Sequence, residues 1–280
     1  PGYPLPPEIT GDDAVFRMME ISTECGCSMV QLPEFTTRPA TLERIVEEAE
    51  NRGLELEIGA TPDLFELTGA NAVEARKNLA DRLKIARQLH CGIIRRGYGR
   101  LKVATSRFSK DWLGTEQLRH VRNNLKEAAK IMEEYGVMLA IENHCDFKGE
   151  ELADVLDSVN SHYVGTALDV VNGFTVYTDP VEDVEALAPF AITTHMKNMA
   201  VIDHPYDFPH IPFAAVGCAL DEGYLDIPWV VDLLAKKSPY ARGLHLVIET
   251  GWVPKRPGVD RAEEMRGIYE SSVPYLKSII

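Results

Sequence analysis

Short unbroken apolar runs alternate along the chain with longer stretches in which apolar residues recur at helical spacing. The runs at 28–32, 54–60, 91–96, 137–141, 164–169, 191–195 and 244–249 are each too short for an amphipathic helix. A continuous apolar run of that length suits a strand covered on both faces, as in a parallel sheet flanked by helices. Segments 12–24, 42–51, 71–89, 115–135, 150–159, 180–187, 227–234 and 261–279 read as the helices between and around them. Thr41 and Thr115 stand where N-caps are expected, and Gly53 and Gly136 where helices stop. Such alternation implies parallel pairing, and about eight units in a chain of this length favour a closed (β/α)8 barrel over an open doubly wound sheet. No strand precedes the helix at 12–24, because residues 1–8 are proline-rich. Either a first strand lies ahead of Pro1, or the barrel is a seven-stranded variant. No linker or low-complexity stretch divides the chain, so 1–280 reads as one barrel domain.

The strand-like runs carry chemistry at their C-terminal ends. VMLAIENH reaches Glu142 and His144, VGTALD reaches Asp169, AITTH reaches His195 and LHLVIE reaches Glu249. A charged side chain there is costly to bury without a partner or a metal. In barrels of this kind the chemistry sits at that end of the strands. The first two intervals between these residues fit one strand–helix unit each, and the third fits a unit with an insertion. Three carboxylates and one imidazole form a mostly oxygen set, which suits Mn2+ best, with Mg2+ or Co2+ as alternatives, rather than structural zinc.

His144 and Lys197 each lie two residues beyond a candidate ligand, so strand alternation aims them at the same interior. His144 is read as a substrate ligand or second base, and Lys197 as a binder of substrate oxygen or carboxylate. The same alternation turns Cys145 away from Glu142 and His144. Arg96, Trp252 and His204 are further substrate-binding candidates, with Glu34, Tyr98 and His210 behind them.

The series AIENH, ALDVVNG, THMKN and VIETGW resembles the xylose-isomerase-like TIM-barrel superfamily of sugar (phosphate) isomerases and epimerases. The likeness runs from Asp12 to the end, and GCALDEGYLDI resembles that family's Gly-Glu-Gly-x-x-Asp loop. The resemblance implies a single Mn2+, Mg2+ or Co2+ held by Glu142, Asp169, His195 and Glu249. It also implies that Glu142 and Glu249 are the acid/base pair, moving a proton through an enediolate whose charge the metal stabilises. The expected activity is therefore isomerisation or epimerisation of a keto-sugar or related polyol. Two departures bear on the substrate. Many ketose epimerases have histidine where this chain has Asn172, and glutamate where it has Lys148. A cationic Lys148 suits an acidic or phosphorylated substrate. These departures support a second expectation, a metal-dependent lyase (dehydratase, decarboxylase or C–C cleaving) acting on an oxidised sugar.

Composition narrows the remaining classes. A formal charge of −14 over 280 residues argues against nucleic acid and against an anionic membrane as partners. The early strands end without histidine, which disfavours a multi-metal phosphodiesterase sharing the barrel. A binding subunit without turnover stays open, as does a homo-oligomer. Five cysteines without framework spacing fit reduced thiols in a cytoplasmic protein.

Overall fold

The computed structural model describes residues 3–99, 101–206, 210–250, 253 and 258–280. Strands β1 (Met29–Gln31), β2 (Glu55–Gly59), β3 (Ile93–Gly97), β4 (Met138–Glu142), β5 (Val164–Asp169), β6 (Ala191–Met196) and β9 (Leu246–Ile248) form one sheet in that order. Every neighbouring pair in it is parallel. Parallel pairing requires a crossover after each strand, and helices supply them. These are α2 (Pro39–Arg52), α3 (Ala72–Gln88), α4 (Gly114–Tyr135), α5 (Gly149–Val159) and α6 (Pro180–Leu187). Helix α1 (Asp12–Glu24) precedes the sheet, α7 (Ile227–Lys237) leads into β9 and α8 (Arg261–Ser278) follows it.

Two layers of apolar side chains follow from strand alternation. Ile94, Leu139, Ile141 and Leu168 point outward into the main core with the helices. Ile93, Ala140, Ala167 and Ile192 form a smaller cluster inside the barrel, with Met138 and Tyr240 against it. That plug sits below the polar strand ends. Close packing here demands glycine at 165, where a Cβ would meet the Phe190 carbonyl at 2.6 Å.

The described residues give the barrel seven strands, and it is nearly closed. Among the described residues no ladder joins β1 to β9, and residues 3–11 contain no strand. A cleft of about 830 Å³ lies along this seam. Met18, Val30, Leu246 and Leu276 line it, and it reaches inward to Gln31, Arg95, His245 and Glu249. The insertion after β6 is an antiparallel hairpin of β7 (Asn198–Asp203) and β8 (Phe213–Cys218), which stands apart from the barrel sheet.

Some helix starts differ from the sequence reading. Helix α2 begins at Pro39, whose fixed φ suits a first helical position. Thr41 therefore lies inside the first turn, and its hydroxyl donates to Asp12 Oδ2 at 3.1 Å, tying α1 to α2. Helix α4 begins at Gly114, ahead of Thr115, and the Leu113 N–H donates to Glu116. Side-chain caps are supplied instead by Asp179, Asp226 and Asp260. The stops at Gly53 and Gly136 are as expected, both at positive φ. No helix among the described residues is long and apolar enough to cross a membrane.

Candidate metal centre

Glu142 is the last residue of β4 and Asp169 the last of β5. His195 is the penultimate residue of β6, and Glu249 directly follows β9. One donor atom from each lies within 4.8 Å of the other three. Oxygen and nitrogen donors about 2.1 Å from a shared ion lie at most about 4.2 Å apart, so a sub-ångström contraction would seat one. His195 Nδ1 faces Glu142 Oε1 at 3.2 Å and Glu249 Oε2 at 3.5 Å. Asp169 Oδ1 is fixed by the N–H groups of Val171 and Asn172, at 3.1 and 2.9 Å. Asp169 is fully buried, while the Glu249 side chain is the most open of the four at 21%.

Lys197 enters the same cluster. Its ammonium lies 2.5 Å from Asp169 Oδ2 and 2.7 Å from Glu249 Oε2, and its side chain is 2% exposed. Three carboxylates outnumber one ammonium and one imidazole in a buried place, and burial raises the Asp169 carboxyl. Such charge is expensive unless compensated, and a hard divalent cation would neutralise it. The donor set therefore fits the ion that the sequence implied. Electrostatics in the cluster follow from the same contacts. Burial opposes charge on Glu142, but His195 outweighs it and holds the carboxyl down at about 2. Burial likewise opposes charge on His195 and Lys197, yet the surrounding carboxylates raise both.

The other sequence candidates fall in several places. His144 is half-buried beside Glu142, close enough to help keep that carboxyl ionised. Its Nδ1 lies 3.1 Å from Cys145 Sγ. The expectation that Cys145 turns away fails because β4 ends at Glu142, and strand alternation does not extend to residue 145. Asn172 gives its side-chain N–H to the Asn143 carbonyl at 3.0 Å and its backbone N–H to Asp169, so it braces a ligand. Lys148 is the N-cap of α5, and its backbone N–H bonds Glu151 beside the Arg107–Glu151 ion pair. Arg96 shares the outward side of β3 with Ile94, whereas Arg95 turns inward and lines the seam. His204 bonds the backbone of Tyr206 at the far end of β7, roughly 20 Å along the strand from Lys197, and His210 is exposed nearby. Tyr98 stacks on Phe147 at 5.5 Å, and Glu34 is exposed. Trp252 lies outside the described residues.

Below the cluster is a set of polar residues that the sequence reading passed over. His195 Nε2 meets Gln31 Oε1 at 3.0 Å, and Gln31 Nε2 donates to Glu57 Oε2 at 2.8 Å. His245 bonds Glu57 Oε1 through Nδ1 at 2.6 Å and Glu55 Oε2 through Nε2 at 3.0 Å. The available signal was Glu57, an acidic residue in the middle of a strand, here 0% exposed. The hydrogen bond to Glu57 raises His245, and the same contact overcomes burial to lower Glu57. The stabilisation from His245 is complete below its ordinary value of 6.5 and is lost as pH rises through its raised one. That from Glu57 is complete above 4.5 and is lost as pH falls through its lowered one. Wild type is thus expected to lose stability between pH 6 and pH 9. A His245→Gln variant should show a shallower fall, read as Tm at the two pH values.

A nearly closed parallel barrel with a carboxylate–histidine cluster at its strand ends defines a TIM barrel with a candidate metal site. The chain belongs to the xylose isomerase-like TIM barrel family, whose match spans residues 15–277. The 3-oxo-isoapionate decarboxylase of Pectobacterium atrosepticum is 26% identical over 241 residues, covering 85% of this chain and 77% of that one. A xylose isomerase-like TIM barrel protein from Mycobacterium smegmatis, solved in complex with magnesium, superposes with a TM-score of 0.68 at 14% identity. That likeness covers 96% of this chain and 90% of the other. D-psicose 3-epimerase from Clostridium cellulolyticum, solved with D-tagatose, gives 0.65 at 14% identity over 94% and 93%.

Proposed function

We propose that this chain is a divalent-metal-dependent isomerase or epimerase of a keto-sugar or related polyol. The observation that carries the reading is the convergence of Glu142, Asp169, His195 and Glu249 on one buried spot, with Lys197 among them. A bound Mn2+, Mg2+ or Co2+ would supply Lewis-acid polarisation of a carbonyl and stabilise the negative charge developing on its oxygen. Glu142 and Glu249 are both held ionised, the form in which a carboxylate accepts a proton. One takes the proton from the carbon next to the carbonyl, and the C–H electron pair moves into an enediolate. Returning a proton to the opposite face of that carbon epimerises; returning it to the neighbouring carbon isomerises. On this reading His144, beside Glu142, serves as a substrate ligand or second base.

A second reading has its own support. Lys197 puts a fixed ammonium inside the cluster, suited to an acidic substrate, and a relative at 26% identity is a decarboxylase. On this reading the bond to a substrate carboxylate breaks, carbon dioxide leaves, and the electron pair flows into the neighbouring carbonyl before a proton is returned. One experiment separates the two. The protein is stripped with chelator, reloaded with Mn2+ and offered ketoses and 3-oxo sugar acids in D2O. Metal-dependent deuterium incorporation without loss of carbon supports the isomerase. Release of carbon dioxide supports the lyase. Neither outcome across a broad panel overturns both.

A further inference from the structure

Gln31 links the candidate ligand His195 to a buried ion pair, and its orientation can be read without ambiguity. A carboxylate only accepts hydrogen bonds, so the group of Gln31 facing Glu57 Oε2 must be its NH2. The Gln31 oxygen then faces His195 Nε2 at 3.0 Å, and an oxygen acceptor requires that nitrogen to carry the proton. The nitrogen left to face Glu142 and Glu249 is Nδ1, which donates to Glu142 across 3.2 Å in the metal-free site; once that proton is lost with Nε2–H retained, Nδ1 would present a bare lone pair to a cation. Glu57 is fixed in turn by His245 at 2.6 Å, and its full burial leaves Gln31 little freedom to turn over.

We infer that Gln31 is a positioning residue that locks His195 with its Nδ1 lone pair toward the cation, and that Glu57 and His245 hold Gln31 in the one orientation that does so. The inference rests on the metal-site reading above and adds the residues that set the histidine's tautomer and ring angle. Hydrogen-bonding partners behind a ligating histidine commonly govern metal affinity by about 10–100-fold. Gln31 ends β1 as the ligands end their strands, whereas Glu57 lies mid-strand and His245 directly precedes β9, and neither Glu57 nor His245 is one of the four clustered residues.

The test uses the full chain and Gln31→Met, which keeps the volume and removes the acceptor. Mn2+ affinity is measured by titration calorimetry. The His195 tautomer is read by 15N NMR in metal-free protein, at a pH high enough to make that imidazole neutral. Wild type is expected to hold the proton on Nε2. In Gln31→Met the proton should move toward Nδ1, where Glu142 can accept it, and Mn2+ should bind about 10–100-fold more weakly. Glu57→Gln, which frees Gln31 to turn, should shift both readings in the same direction by less, and it carries the test if Gln31→Met fails to fold. An unchanged Nε2 proton together with wild-type Mn2+ affinity in these variants overturns the inference. Absence of Mn2+ binding in wild type overturns the metal-site reading instead, and the tautomer measurement alone then decides the role of Gln31.

Discussion

Asp169→Asn is expected to weaken divalent-cation binding by more than about 100-fold, beyond the loss that follows from disturbing a ligand's supporting contacts. The substitution removes one of three negative charges and keeps the side chain's shape. Oδ1 still accepts from Val171 and Asn172, so the loop after β5 should hold its form. The new NH2, however, turns a second donor toward the Lys197 ammonium, in the position where a carboxylate oxygen stood. Calorimetric titration with Mn2+ checks the affinity, and circular dichroism checks that the fold persists. Near-wild-type binding in this variant would remove Asp169 from the site.

Lys197→Met should act oppositely on the two states of the protein. In metal-free protein the ammonium compensates Asp169 and Glu249, and removing it strands buried charge at a cost of about 3–5 kcal/mol. That corresponds to a fall in Tm on the order of 10 °C for a chain of this size. With saturating Mn2+ the carboxylates regain a counter-charge, so most of the fall should be recovered, and cation affinity should rise because a competitor has gone. Turnover should drop if the ammonium also seats an acidic substrate. The measurement is the gap in Tm between chelator-treated and Mn2+-loaded samples, for wild type and variant. An unwidened gap would show that Lys197 and the cation do not share one place.

The parts of this molecule that were legible in the sequence are those where one strand position decides the outcome. Glu142, Asp169, His195 and Glu249 all end or nearly end their strands, so an apolar run that stops on a ligand-type residue was enough to bring them to one spot. Lys197 followed from counting two residues beyond His195. Counting fails where the strand stops: Cys145 lies past the end of β4 and swings back onto His144. Choosing between Arg95 and Arg96 needed the phase of β3, which its apolar start does not fix because both faces of the strand are covered. In the sequence His204 falls within the insertion between His195 and Glu249, whose shape the pattern does not give. The extended hairpin carries it outward instead. Gln31 and His245 were invisible for a different reason, and Glu57 offered only the oddity of a charge in mid-strand. Their bonds cross the barrel between residues far apart in sequence, and local pattern cannot report a contact through an interior.

The gap between β1 and β9 gives those cross-barrel bonds a mechanical meaning. A sheet whose two end strands share no ladder is a letter C, free to spread unless something spans it. Gln31 and Glu57 belong to one arm of the C, while His195 and His245 belong to the other. On the outside, the Lys277 ammonium clasps the Cys25 and Gly26 carbonyls at 2.8 and 2.7 Å. The same few polar contacts that aim an imidazole also act as struts against spreading, so loosening the floor of the barrel would blur the geometry at its rim.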